Sequence, residues 1–88
     1  DICYYKAAAQ YAGGDIEGAL ATYQAMIDYD EENGNAYYLH GCLSLKQQDT
    51  DTAKKDFANA VKYNPDDYEL YVGIYESLAG NNMTEKNI

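Results

Sequence analysis

"NAYYLHGCLSLKQQDTDTAKKDFANAVKYNP", Asn35 to Pro65, reads as two helices joined by a short polar turn. In its second half Ala53, Phe57, Ala60 and Val61 recur at intervals of three and four, the spacing that lines one helical face. Asp49 is placed to cap that helix, and Pro65 ends it, because proline cannot continue a helix and restricts the residue before it. The expected helices run from Asn35 to Gln47 and from just after Asp49 to near Asn64. Gly41 and Ala53 are small where two antiparallel helices would cross, so their backbones can approach. Tyr37 and Phe57 then fill the space on either side of the crossing.

The same plan recurs along the chain. A shift of 34 residues places Tyr4 on Tyr38, Ala7 on Gly41, Asp15 on Asp49, Ala19 on Ala53, Tyr23 on Phe57, Ile27 on Val61 and Tyr29 on Tyr63, without a gap. A second shift places Tyr37 on Tyr71 and Leu45 on Ala79. Helices are therefore expected over Ile2 to Ala12 and Ile16 to about Tyr29, separated by Gly13, Gly14 and the capping Asp15. A fifth is expected from a cap at Asp66 or Asp67 to Ala79, ended by Gly80 and two asparagines. No segment shows the alternation of a strand, so the fold class is all-α. The units fall at about 1–33, 34–67 and 68–88, the last incomplete, and form one domain over 1–88. Asp1 stands where an initiator methionine would, so the chain is expected to be a fragment of a longer protein.

These residues resemble the tetratricopeptide repeat. The second unit carries the family signature as Tyr37, Gly41, Ala53, Phe57, Ala60 and Pro65 at the family's spacing. The first unit matches through Ala7, Ala19, Tyr23 and its glycine turn, with Cys3 where an aromatic is usual and Glu31 in place of the proline. The third keeps Tyr71 but has Tyr75 where a small residue is usual. The resemblance covers residues 1 to about 80. It implies a solenoid of antiparallel helix pairs, about two and a half repeats wound into a right-handed superhelix. Each pair buries its apolar stripe only by stacking on the next, and about three units are normally needed for stability.

Composition narrows the partners. Fifteen acidic residues stand against six lysines with no arginine, giving a net charge of −9 that repels nucleic acid and anionic membrane surfaces. No apolar run approaches the roughly 20 residues needed to span a bilayer, so no membrane insertion is expected. Eleven of the twelve aromatic residues are tyrosine, a ring that suits a core edge and a binding surface equally.

Catalytic and metal chemistry find no footing, and the chain reads as a non-enzyme with no cofactor. His40 and Cys42 are two apart, which on a helix turns their side chains about 200° from one another, so they cannot act as a local base and nucleophile. His40 carries no carboxylate at helical spacing and reads as a packed or edge histidine. Cys3, His40 and Cys42 are the only zinc-type ligands and lack paired spacing. The two cysteines lie five residues out of phase between repeats, about 140° apart in direction, so a disulfide is not expected. Two shielded thiols lean weakly toward a reducing, cytoplasmic compartment. The acidic run Asp28 to Gly34 lacks the glycine and the glutamate of a calcium loop, with Asn33 and Leu39 in their places, and reads as the solvated turn between units.

The resemblance further implies a concave wall built by the first helix of each pair, which typically binds an extended peptide or a helix. On that mapping the groove is carried by Tyr4, Tyr5, Tyr11, Tyr38, Leu39, Cys42, Leu45, Lys46, Val72 and Glu76. The positions at which one subgroup of the family clamps chaperone-tail carboxylates fall on Tyr4, Ala8, Leu39, Glu69 and Gly73. None is cationic, so that ligand is disfavoured. The expected function is a protein–protein interaction module or scaffold that presents a tyrosine-lined groove to a protein or peptide. The alternative is structural self-association, a homodimer formed through the incomplete third unit.

Overall fold

A computed structural model describes residues 2–80 of the chain. Five helices follow one another: α1 (Ile2–Ala12), α2 (Ile16–Tyr29), α3 (Gly34–Lys46), α4 (Thr50–Tyr63) and α5 (Tyr68–Gly80). There is no strand among the described residues. α1 pairs with α2 and α3 with α4; α3 also packs on α2, and α5 lies against both α3 and α4.

Four of the five helices, α2 to α5, begin where an Asx side chain captures an amide left over at the first turn. Asp15 accepts from Gly18 N at 2.9 Å, Asn33 from Ala36 N at 3.2 Å, Asp49 from Thr52 N at 3.3 Å and Asp67 from Leu70 N at 3.2 Å. Hydrogen bonds from Thr52 hold the Asp49 carboxyl below its usual range. With Asn33 as its cap, α3 begins at Gly34, one residue ahead of the expected Asn35, and Asp67 is the cap used by α5.

The turn inside each pair is built twice in one conformation. Asp15 N donates to Gln10 O at 2.8 Å and Asp49 N to Ser44 O at 2.9 Å, and the preceding residues, Gly14 and Gln48, have φ of +88° and +63°. Glycine adopts that left-handed backbone freely, whereas glutamine does so against a steric cost.

The core is thin and divided in two. One cluster joins Ala7, Ala19, Tyr23, Met26, Ile27, Ala36 and Leu43, from α1, α2 and α3. The other joins Leu45, Ala53 and Phe57, with Tyr38, Cys42, Ile74 and Leu78 half-buried against it. Fully buried alanines, Ala7 with Ala19 in the first pair and Ala53 in the second, stand where helices meet. A Cβ built on Gly41 would lie 2.9 Å from Phe57 Cε1 and 3.0 Å from Asp56 Cβ, so α3 approaches α4 closely there, as the small residues Gly41 and Ala53 require. Tyr37 stacks on Tyr63, ring centroids 5.9 Å apart, and closes the other end of that pair.

Candidate functional site

The side chains of "YYLHGC" part in three directions. His40 turns to α4, where its Nδ1 meets Asp56 Oδ2 at 2.5 Å, with 13% and 11% of the two side chains exposed. Cys42 turns to α5, its Sγ 3.3 Å from Ser77 Oγ. Leu39 leans on the first core cluster. Histidine and cysteine are thus drawn apart by different neighbouring helices. The sequence offers His40 no carboxylate on its own helix; the partner helix supplies one. Because the contact is largely shielded from water, a double-mutant cycle of His40→Ala and Asp56→Ala, read by urea unfolding, should return a coupling of about 1–2 kcal/mol. A coupling near zero would mean that each group is satisfied by water instead.

Two clefts meet on the surface formed by α1, α3 and α5. The first, about 240 Å³, is lined by Ala8, Tyr11, Tyr23, Leu39, Cys42, Leu43 and Lys46. The second, about 230 Å³, is lined by Cys42, Leu45, Lys46, Glu76, Ser77 and Gly80. Cys42 and Lys46 belong to both, so they form the ridge between two depressions. The Lys46 ammonium stands 5.7 Å from the centre of the Tyr11 ring, a cation held over an aromatic face at the rim. The first depression has an apolar floor, whereas the second mixes polar and apolar surface and carries one positive and one negative charge, Lys46 and Glu76.

Of the residues the sequence assigns to the groove, Tyr11, Leu39, Cys42, Leu45, Lys46 and Glu76 line these two clefts. Tyr38 lines neither. It borders a separate cleft of about 300 Å³ with Asn35, Asp67, Glu69 and Leu70. Its ring packs at 6.1 Å on Phe57, and its hydroxyl lies against Gly73 of α5, where a Cβ would come within 2.9 Å of Tyr38 Cζ. Burial, and then the nearby Cys42 thiol, push the Tyr38 phenol above its usual range. Tyr4 lines none of the three clefts; its hydroxyl is 3.2 to 3.3 Å from the Asn33 amide and so ties α1 to the cap of α3. Tyr5 and Val72 are exposed, at 76% and 54%, and also border none of them. Ser77 was not among the expected wall residues. The signal for it was the repeat itself, since Ser77 falls on Leu43, which faces the preceding unit.

Among the described residues no group of three or more His, Cys, Asp and Glu could hold a metal ion, and no helix is long and apolar enough to cross a membrane. No disulfide joins Cys3 to Cys42.

Helix pairs repeating at a fixed interval, small residues at each crossing and an open surface along their first helices define a helical-repeat scaffold. The tetratricopeptide-repeat family model matches residues 3–31 and 35–67, and the chain belongs to that family. Repeats of this family are non-enzymatic and mediate protein–protein interaction or scaffolding by binding proteins or peptides. Neither the curated proteins nor the solved structures give a significant match.

Proposed function

We propose that the chain is a non-catalytic docking module whose concave wall receives a peptide or helical segment of a partner protein. The observation that carries this reading is the pair of adjoining depressions that share Cys42 and Lys46. Each is of a size to take one apolar side chain, and two such anchors in neighbouring pockets are how a short segment gains both affinity and register. Tyr11 is the anchor of choice on the protein side, being 40% exposed and presenting an amphipathic ring to the first depression. Tyr38 takes a supporting part, fixing α5 against α3 and so setting the width of the second depression.

The test is selection of peptides from a random 12-residue library on the whole chain, followed by affinity measurement on variants. Tyr11→Ala should weaken the selected peptides about tenfold or more, the range of an anchoring aromatic. Tyr75→Ser, outside both depressions, should leave them unchanged. Equal affinity for Tyr11→Ala and the parent chain would sink the groove reading.

Self-association through the third unit is the second reading, and the exposure of Tyr68, Tyr71, Val72 and Tyr75 on α5 favours it. A homodimer would bring two chains of charge −9 together, which weighs against it at low salt.

A further inference from the structure

The ridge between the two depressions carries a cation with room for a partner. Lys46 lines both depressions and is the only lysine that lines either. Its ammonium stands 5.7 Å from the centre of the Tyr11 ring and is therefore turned toward the first depression. Among the described residues it makes neither a hydrogen bond nor an ion pair. A ring face attracts an ammonium from one side only, which leaves N–H donors of Lys46 open to an acceptor.

The two depressions differ in charge. Glu76 stands with Lys46 around the second, where the two charges offset one another. No carboxylate lines the first, although the chain carries fifteen acidic residues and a net charge of −9. Its lining comes from α1, α2 and α3, of which the first and third both pack on the second. At about 0.15 M salt the Debye length is about 8 Å, so carboxylates elsewhere on the surface are largely damped. A group seated in the first depression instead meets the Lys46 ammonium at contact distance. The local sign there is positive.

We infer that the segment received by this wall carries an aspartate or glutamate within two residues of the apolar side chain that enters the first depression, with its carboxylate on the Lys46 ammonium. This partner chemistry rests on the docking reading above and narrows it, from any apolar segment to an apolar residue beside an acid. Residues two apart in an extended segment share one face at a separation of roughly 7 Å, a step that the long lysine side chain can cover. A lysine or arginine at the same place would face Lys46 and be repelled, so the contact also sets which way the segment lies across the wall.

The probe is the random 12-residue peptide library, selected on the whole chain at about 150 mM sodium chloride. The selected peptides should carry an acid within two residues of their apolar anchor. Changing that acid to its amide, aspartate to asparagine or glutamate to glutamine, should weaken binding to the parent chain about three- to tenfold. The same change should make no difference to binding by Lys46→Gln and should keep its full effect with Lys46→Arg. Lys46 is exposed, and helicity by circular dichroism should hold in both variants. An equal loss with Lys46→Gln would overturn the inference. So would a basic residue enriched beside the anchor, which would mean that the net charge outweighs Lys46. Peptides that depend on Tyr11 yet carry no acid would also overturn it and leave the docking reading standing. Failure to select any peptide, or affinity indifferent to Tyr11→Ala, would overturn both.

Discussion

Phe57→Ala should remove about 3–5 kcal/mol of stability, the usual range for deleting a buried aromatic ring. The ring is 6% exposed and fills the crossing of α3 and α4 beside Gly41. It also supports Tyr38 at 6.1 Å, which in turn lies under α5. One side chain therefore holds three helices. A domain of this length has roughly 5–10 kcal/mol of stability in all, so the loss would lower the melting temperature by more than about 12 °C. The two core clusters predict where the damage falls. Amides of α3, α4 and α5 should lose hydrogen-exchange protection well before those of α1 and α2, because a repeat array responds to its nearest-neighbour interfaces. A uniform loss along all five helices would instead show that the two clusters melt as one unit.

Gly41→Val should destabilise by about 3 kcal/mol, at the upper end of overpacking substitutions. The new Cβ would press on Phe57 Cε1 and on Asp56 Cβ, and the latter is fixed to the α4 backbone and cannot rotate away. α3 and α4 must part to relieve it, which also draws Asp56 from His40. Gly41→Ala should fall between the parent and valine, since a gain of about 1 kcal/mol in helix propensity partly offsets the closer contact. Denaturant unfolding measures both. An alanine variant more stable than the parent would mean that the helices separate freely and that glycine there has no packing role.

The architecture was legible because its determinants are local and repeat. Asp15 and Asp49, Ala19 and Ala53, and the glycine turn with its counterpart fixed the pairs and their period before any contact was known. α3 starts one residue before the expected Asn35 because the Asn33 side chain caps it, and the Tyr4 hydroxyl of α1 is tied to that cap. The site was harder to read. Periodicity placed Tyr38 and Tyr11 alike on the first helices of their pairs, but α5 comes down on one and not the other. The reason lies 35 residues from Tyr38, at Gly73, whose missing side chain lets the Tyr38 hydroxyl reach the α5 backbone. The carboxylate beside His40 was hidden in the same way, since Asp56 sits on the opposite helix of the pair. Side chains that meet across helices leave no signature in the spacing along one of them.

The left-handed residue at the turn bears on what can be made from this chain. Gly14 and Gln48 hold one backbone shape at the same point of successive units, yet only glutamine is strained there. Tandem arrays concatenated from the second unit, the better match to the family, would carry that strain of roughly 1 kcal/mol once per copy, and it would accumulate with length. Grafting the first unit's glycine into position 48 of every copy removes the accumulation. The better building block for an engineered solenoid is thus a chimera: the helices of the second unit joined by the turn of the first.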